Sequence, residues 1–363
     1  MRERISKLTV RYNNKIVGYL AELDEGKIAF QYEDDWLKTG FSISPFSLPL
    51  SNQIYINSKD TFSGLYGVFN DSLPDGWGEL LTRRSLAKKG INYDNLSPLT
   101  KLTLISKCGL GALTYQPSLD DTKTPNYTFD ELALKAQKIF VDEDVECDKI
   151  YLLGGSSGGA RPKVHIKDEN DYWIVKFPCR IDTQNIGIQE YKANALAKQC
   201  GINVNETKLF ASNLCEGYFA AKRFDRDKEN NIHMISLSAI LETTHRIPNL
   251  DYIYLFQVIK CICPNKNDLF EAYRRMCFNV LFGNKDDHGK NFSFLYDEKI
   301  KGYKLSPAYD ITHTLYKPEH EMAVNGSGNP SINDLLEVAS IIKLSMKRCK
   351  NIIKDIQNIL NEN

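Results

Sequence analysis

The sequence lacks an excess of charge of either sign. Its 363 residues include 46 basic and 46 acidic side chains, so the formal net charge at pH 7 is zero. A broad electrostatic surface for DNA or for an anionic membrane is therefore not expected from the totals. A local basic patch remains compatible with the same numbers.

Long apolar runs and metal-binding patterns are also missing. No run approaches the roughly 20 apolar residues that span a bilayer, and the N-terminus has no apolar secretory core. The nine cysteines are scattered without a Cys-x-x-Cys pair, and the histidines show no metal-ligand spacing. These absences disfavour a thiol or metal enzyme. They predict a soluble, cytoplasmic protein with reduced thiols.

What the chain does contain is the composition of a folded protein with more than one domain. Apolar residues make up 42% and charged residues 25%, which is typical of globular proteins. A length of 363 residues suits two or three domains. We predict an α+β protein in three parts: an N-terminal α+β subdomain over 1–140, a strand-rich part with a glycine-rich loop over 141–226, and a mainly helical lobe over 227–363.

Local patterns predict the main elements. Apolar alternation indicates strands over 8–12 and 15–20, with Asn13-Asn14 as a hairpin turn. Residues 41–50 alternate apolar with small polar side chains, and their prolines indicate a strand at a sheet edge. Thr128 and Glu131 form a capping box that opens a helix reaching about residue 141. Mostly helical spacing then covers 235–242, 250–260, 269–282, 333–345 and 346–360.

The most informative stretch runs from Gly283 to Asp310. Asp286 precedes Asn291 by five positions, the spacing of a phosphotransferase catalytic loop. In such a loop the aspartate accepts the proton of an incoming hydroxyl. The asparagine and a later aspartate, here Asp310, hold the Mg²⁺ that bridges the phosphates of ATP. Lys290 is a candidate to neutralise the migrating phosphoryl group. The alternatives are a charged surface turn for the loop and a structural hydrogen-bond donor for Lys290.

A glycine cluster at 154–159 is the second candidate for phosphate binding. Glycines let backbone N–H groups approach a phosphate closely, and Ser157 and Gly158 are candidates for that contact. The cluster is not a Walker A loop, because no Gly-Lys-Ser or Gly-Lys-Thr follows. Lys176 lies in a predicted strand that follows the glycine cluster, and it is the candidate for the α- and β-phosphates. A mobile turn and a lysine that extends to water are the alternatives.

The strand predicted over 218–224 is expected to link the two lobes of such a kinase. Its main chain would face adenine, which makes Lys222 and Phe224 candidates for the nucleotide site. Glu190, in the helix after Lys176, is expected either to pair with that lysine or to lie exposed in the first turn, where the helix dipole favours an acid.

Taken together, these segments resemble the HipA family of serine/threonine kinases, the toxin half of HipBA-type modules. The matching motifs keep the family's order along nearly the whole chain. They are Leu73-Pro-Asp-Gly76, Gly155-Ser-Ser-Gly-Gly-Ala-Arg-Pro-Lys163, Trp173-Ile-Val-Lys-Phe177, Lys222-Arg-Phe-Asp-Arg226, Gly283-Asn-Lys-Asp-Asp-His-Gly-Lys-Asn-Phe-Ser293 and Ser306-Pro-Ala-Tyr-Asp310.

The resemblance implies a bilobal, kinase-like fold that uses ATP and Mg²⁺. It assigns Asp286 as general base, Asn291 and Asp310 as Mg²⁺ ligands, and Lys176 as the phosphate lysine. It also implies autophosphorylation in the glycine-rich loop. Counting back from Lys163 as in the family gives Ser156 as the acceptor, with Ser157 as its competing neighbour.

The resemblance further implies two partners. One is a HipB-like helix-turn-helix antitoxin, which the N-terminal subdomain helps to contact and through which DNA is mainly bound. The other is a protein substrate, such as an aminoacyl-tRNA synthetase or another translation factor. Two alternatives stay open: a catalytically idle co-repressor partner of the antitoxin, and a small-molecule kinase on the same fold.

Overall fold

A computed structural model describes residues 5–105, 109–118, 127–140, 150, 153–154, 159–179, 182–228, 230–314 and 316–363. The chain divides into two compact units. The first is Met1–Ile188, Lys208–Ile235 and Ala239–Thr243, and the second is Gln189–Thr207, Ser236–Ser238 and Thr244–Asn363. The sequence predicts three parts with boundaries near residues 140 and 226. This division into two units does not test those boundaries, so they stay a prediction.

The first unit begins with a five-stranded antiparallel sheet in the order β4-β3-β2-β1-β5. Alternation along β1 buries Leu8, Val10 and Tyr12 on one face. Asn13, with φ of 51°, turns the chain into β2, so the predicted hairpin is confirmed. The strands are β1 Lys7–Tyr12, β2 Lys15–Glu22, β3 Ile28–Tyr32, β4 Tyr55–Ile56 and β5 Leu113–Gln116.

The strand predicted over 41–50 is wrong, because this segment forms turns and the edge strand is β4. Proline lacks the N–H that a strand ladder needs, and two prolines interrupt the segment. Its backbone bonds instead to the buried Tyr32 hydroxyl. That hydroxyl accepts from the Ile43 N–H at 3.1 Å and donates to the Leu48 carbonyl at 2.7 Å.

Helices of the same unit, among the residues that the structure describes, include α1 Asp34–Thr39, α2 Gly67–Asn70, α3 Gly76–Ala87, α4 Pro98–Leu102 and α5 Phe129–Ile139. The capping box predicted for α5 is confirmed. The Thr128 hydroxyl accepts from the Glu131 N–H at 3.2 Å, and the Glu131 carboxylate accepts from the Thr128 N–H at 2.8 Å. These contacts satisfy two of the N–H groups that a helix start leaves without partners.

A second sheet of the first unit has the order β6-β7-β9-β8. Its apolar face packs with α3 and α5 in one core, which includes Trp77, Leu132, Val175 and Tyr218. The strands are β6 Lys163–Asp168, β7 Asp171–Lys176, β8 Thr207–Phe210 and β9 Tyr218–Lys222, and a small pair β10 Arg226–Asp227 and β11 Asn230–Asn231 follows. Helix α6, Ile186–Gln199, crosses the unit boundary.

The second unit is mainly helical, as its spacing predicts. Long helices bury Phe256, Tyr273, Phe278 and Leu335 in its core. The helices after α6 are α7 Leu237–Ile240, α8 Tyr252–Ile262, α9 Asn267–Phe282, α10 Ile332–Ile341 and α11 Met346–Glu362. Strand β12, Met234–Ser236, crosses the unit boundary, and the later strands are β13 Leu250–Asp251, β14 Ser293–Asp297, β15 Gly302–Leu305 and β16 Met322–Ala323. None of the helices in the described ranges has the length and apolar character of a membrane span.

Candidate active site

Helix α9 ends in a turn that begins the loop with the Asp-x-x-x-x-Asn spacing. Gly283 has a left-handed backbone with φ of 80°, and its N–H bonds to the Asn279 carbonyl at 3.0 Å. Glycine is favoured here because it has no Cβ to clash in that conformation. The buried Asn284 amide then donates to the Asn279 side-chain oxygen at 3.0 Å. The loop therefore leaves the helix in a fixed direction.

Asp287 anchors the middle of this loop. Its side chain is 1% exposed, and one oxygen accepts from the Tyr252 hydroxyl at 2.7 Å and from His320 Nδ1 at 2.9 Å. The other oxygen accepts from the Glu321 N–H at 3.0 Å. Burial, reinforced by the neighbouring carboxylate, raises the pKa of Tyr252 well above its ordinary value. Because a buried carboxylate needs partners, Asp287 holds together three separate segments beside Asp286.

Asp286 and Asn291 lie next to each other at the outer side of the loop. A 3₁₀ turn over Gly289–Asn291 brings Asn291 back, and its Nδ2 donates to the Asp286 carbonyl at 2.7 Å. That bond uses the nitrogen end of the amide, so Oδ1 is the end left for a cation. The Asp286 carboxylate is 34% exposed, which leaves it accessible to a substrate hydroxyl.

Asp310 is tied to the same loop through its neighbour Tyr309. The Tyr309 hydroxyl donates to the Lys290 carbonyl and accepts from the Ser293 hydroxyl, the oxygens of the latter pair being 2.6 Å apart. Tyr309 and Lys290 stand one residue before Asp310 and Asn291 respectively, so this bond links the two segments that carry the candidate ligands. Asp310 itself has φ of 58°, a left-handed conformation that non-glycine residues adopt at a cost, most often at functional sites.

The donor set fits a hard cation such as Mg²⁺. The candidate ligands are a carboxylate from Asp310 and an amide oxygen from Asn291, which are the oxygen donors that Mg²⁺ prefers. Within the described ranges, no group of three or more Asp, Glu, His and Cys side chains lies together as a metal cage. Mg²⁺ in phosphotransferases is commonly held by one or two side chains together with phosphates, so the sparse set matches that mode.

Lys317 is a site residue that the sequence analysis missed. Its ammonium group donates to Asp286 Oδ1 and to Glu321 Oε1, the latter at 2.7 Å. Burial by itself lowers the pKa of Lys317, but hydrogen bonds to the two carboxylates outweigh burial and raise it. The lysine lies 31 residues from Asp286 along the chain, and no spacing rule links positions so far apart.

In the first unit, both described ends of the glycine-rich loop are fixed. The Gly159 N–H donates to the Asp75 carboxylate, and the Gly159 carbonyl accepts from the Trp77 N–H at 2.8 Å. A Cβ on Gly154 would collide with the Lys163 carbonyl, so this position requires glycine. Ser156, Ser157 and Gly158, the candidates for autophosphorylation and phosphate contact, lie outside the described residues.

Lys176 ends β7 and faces Lys163 across the ladder with β6. Lys163 is buried with 7% exposure, and its Nζ lies close to Gly159, where it would contact any Cβ added there. The Lys176 ammonium group lies over the Phe219 ring, 5.6 Å from its centroid. The sequence analysis singled out Lys176 but not Lys163, which the structure places opposite it. Glu190 is buried with 4% exposure, so of its two alternatives the exposed one is wrong, and pairing with Lys176 stays a prediction.

Lys222 and Phe224 lie at the other end of β7 from Lys176. Lys222 pairs with Trp173 in the ladder, and its ammonium group contacts the Asp171 carboxylate at 2.7 Å. Trp173, the ladder partner of Lys222, lies three residues from Lys176 along β7, a distance of about 10 Å at ~3.3 Å per residue. Phe224 is half-buried next to this contact in sequence.

Comparison with known proteins identifies the family. A model of the HipA N-terminal domain matches residues 8–116, and a model of the HipA-like C-terminal domain matches residues 155–363. Y4dM of Sinorhizobium fredii, whose name includes the word kinase, is 24% identical over 374 residues, which cover 95% of this chain and 88% of that protein. The serine/threonine-protein kinase CtkA of Helicobacter pylori is 28% identical over 182 residues, covering 45% of this chain and 52% of that one.

A solved structure shares the fold. It is a chain of the HipA, HipB and operator DNA complex of Shewanella oneidensis MR-1, with a TM-score of 0.73 and 20% sequence identity, covering 97% of this chain and 88% of that one. The predicted kinase-like α+β fold is thereby confirmed. On both domain matches, which lie in the order that the motifs indicate, the chain belongs to the HipA-like family.

Proposed function

We propose that this protein is an ATP- and Mg²⁺-dependent serine/threonine protein kinase that acts as the toxin of a toxin–antitoxin module. The observation that carries the proposal is the bond from the Asn291 amide to the Asp286 carbonyl, because it converts a sequence spacing into an Asp–Asn pair with the geometry of a phosphotransferase loop. The names of kinase relatives support the same activity.

The chain's own residues divide the work as follows. Asp286 accepts the proton of a serine or threonine hydroxyl, whose oxygen forms a bond to the γ-phosphorus as the bond to the β,γ-bridging oxygen breaks and ADP leaves. Asn291 and Asp310 hold Mg²⁺, which neutralises phosphate charge when bound. Lys290 is assigned to the transferred phosphoryl group. Catalysis then depends mainly on position and charge.

The first unit is proposed to hold the nucleotide along β7. Lys176, with Lys163 opposite, takes the phosphates together with Ser157 and Gly158. Lys222 and Phe224, towards the other end of β7, take the adenine end.

Ser156 is proposed as the site of autophosphorylation and control. A phosphate there adds about −1.5 to −2 charges in the loop that is to receive the phosphates of ATP, and like-charge repulsion would turn the enzyme off. The proposed partners are a HipB-like antitoxin, since the structural relative is part of a complex with HipB and operator DNA, and a protein substrate of the translation machinery.

The test is incubation of the dephosphorylated protein with γ-labelled ATP and Mg²⁺, followed by intact mass and phosphosite mapping. We expect one phosphate at Ser156 in the wild type and a rate about 10²- to 10⁴-fold lower in Asp286→Asn, the usual contribution of a general base. Asp297→Asn removes an aspartate of the same unit outside the loop and is the matched control.

Three results would contradict parts of this proposal. Phosphate on the loop of Ser156→Ala, with nucleotide binding retained, would move the acceptor to Ser157. Equal incorporation by wild type and Asp286→Asn would overturn the kinase assignment. A wild type that binds the antitoxin but never gains or transfers phosphate would favour the idle co-repressor.

A further inference from the structure

The segment that follows Asp310 returns to the catalytic loop and is bonded to its backbone. The Thr314 hydroxyl accepts from the Lys285 N–H at 2.7 Å, and the Thr314 N–H donates to the Gly283 carbonyl at 3.1 Å. Further along, the Glu321 N–H bonds to Asp287 at 3.0 Å and to the Lys285 carbonyl at 3.2 Å. Both flanks of Lys317 are thus attached to the loop that carries Asp286.

Between these attachments, the Lys317 side chain reaches the carboxylate of Asp286. The side chain is 23% exposed, and its ammonium group contacts Asp286 Oδ1 and lies 2.7 Å from Glu321 Oε1. The Lys317 backbone is fixed as well, because its N–H bonds to the Thr314 carbonyl at 3.0 Å. One cation therefore bridges the candidate base and a second carboxylate whose own backbone is anchored.

This contact differs from an ordinary surface ion pair. Lys304 and Asp297 of the same unit form such a pair at 2.8 Å, with the lysine side chain 46% exposed and only one carboxylate engaged. Exposed pairs of that kind contribute little to stability, about 0–1 kcal/mol. Lys317 is less exposed, engages two carboxylates, and touches the one side chain whose exact direction matters to proton transfer.

The choice of oxygen is also informative. Lys317 occupies Asp286 Oδ1, so among the described residues Oδ2 is the atom left to meet a substrate hydroxyl. A carboxylate held by one oxygen has a fixed plane, which directs the other oxygen. General bases act only within hydrogen-bond reach of the proton that they remove.

We propose that Lys317 is a positioning residue for the catalytic base, and that Glu321 holds Lys317 in place. This inference rests on the proposed function of Asp286. During transfer, the hydroxyl proton passes to Asp286 Oδ2, the new oxygen–phosphorus bond forms, and ADP departs with the electrons of the broken bond. Lys317 keeps its proton throughout and stays on Oδ1, so it balances charge without exchanging atoms.

The experiment measures kcat and the KM for ATP in Lys317→Met, Lys317→Arg and Glu321→Gln, with Lys304→Met as the matched control. We expect Lys317→Met to lower kcat about 10- to 100-fold, the effect of a misplaced catalytic group, with the KM for ATP unchanged. Lys317→Arg keeps the charge and should recover part of kcat. Glu321→Gln frees one side of the lysine and should lower kcat about 3- to 10-fold by the same mechanism.

The outcomes separate this inference from the proposed function. An active wild type with a Lys317→Met variant of equal or higher kcat overturns the positioning role alone, a higher value meaning that the lysine blocks the base. A parallel fall of kcat and ATP affinity, or a fall matched by Lys304→Met, also overturns it. If Lys317→Met does not fold, an unchanged kcat in Glu321→Gln decides against it. A wild type as inactive as Asp286→Asn removes the proposed function and this inference together.

Discussion

The two compact units hold a buried aspartate in different ways. In the first, Asp225 contacts the guanidinium groups of Arg223 at 2.6 Å and Arg226 at 2.9 Å. In the second, Asp287 is held by a hydroxyl, an imidazole and backbone N–H groups, and within the described ranges no guanidinium or ammonium group pairs with it. Fixed charge stabilises one anion, and oriented hydrogen-bond donors stabilise the other.

The difference follows from what each aspartate has to hold. The Asp225 cluster fixes a stretch of backbone, since Arg223 and Arg226 both donate to the Gly109 carbonyl and Asp225 accepts from the Gly111 N–H at 2.7 Å. Burial alone would raise the pKa of Asp225, but the two arginines reverse this effect and hold it below the usual range. Asp287 instead joins three segments beside the candidate base, because its two oxygens accept from Tyr252, from His320 and from the Glu321 N–H.

The largest effect that tests this comparison is expected from Asp225→Asn. The change leaves two buried guanidinium groups without their carboxylate, and breaking a buried pair in this way costs about 3–5 kcal/mol. The free energy of unfolding, measured in urea, should fall by that amount. Asp297→Asn, at an exposed pair, is the control and should cost about 0–1 kcal/mol. Equal losses in the two variants would show that the cluster contributes no more than a surface contact.

The second expected effect is a pH dependence of stability, which is caused by a histidine of the first unit. His233 is buried, its Nε2 donates to the Ile43 carbonyl at 2.8 Å, and burial lowers its pKa from 6.5 to about 4. The unfolded chain therefore binds this proton at a higher pH than the folded chain. Stability is complete above about pH 6.5 and is lost as the pH falls towards 4, by on the order of 3 kcal/mol at ~1.4 kcal/mol per pKa unit.

His233→Gln keeps a donor for the Ile43 carbonyl and removes the titration. Between pH 7 and 4, the free energy of unfolding should fall less with decreasing pH in this variant than in the wild type. A wild-type curve that is already flat over this interval contradicts the assignment.

The smallest of the three effects is expected from Asp287→Asn. The amide retains one oxygen but presents an NH₂ group to donors, so one or two buried hydrogen bonds are lost, at about 1–3 kcal/mol. No buried guanidinium is left uncompensated, so the loss should stay below that of Asp225→Asn. Thermal and urea unfolding measure the difference. A larger loss than for Asp225→Asn would invert the comparison.

Local sequence patterns predicted much of this structure. Contacts between residues close in sequence determine the Asn13 turn, the capping box at Thr128 and the long helices. The sequence therefore predicts these features. The Asp286–Asn291 spacing belongs to the same class, because a single turn closes it.

Contacts between distant segments were not visible in the same way. Lys317 meets Asp286 across 31 residues, and Asp75 meets Gly159 across 84, so no periodicity links them. The segment at 41–50 was mistaken for a strand because its alternation was real, whereas its pairing partner, the Tyr32 hydroxyl, is a tertiary feature. Burial of Glu190 likewise depends on packing that a helical pattern does not specify.

The attachments of residues 314–322 to the catalytic loop have a consequence for control. In many kinases the corresponding stretch becomes ordered only after it is phosphorylated. Here Thr314 and His320 attach this segment to the catalytic loop without any phosphate group. Under the proposed function, control by phosphate would therefore rest with the glycine-rich loop and not with residues 314–322.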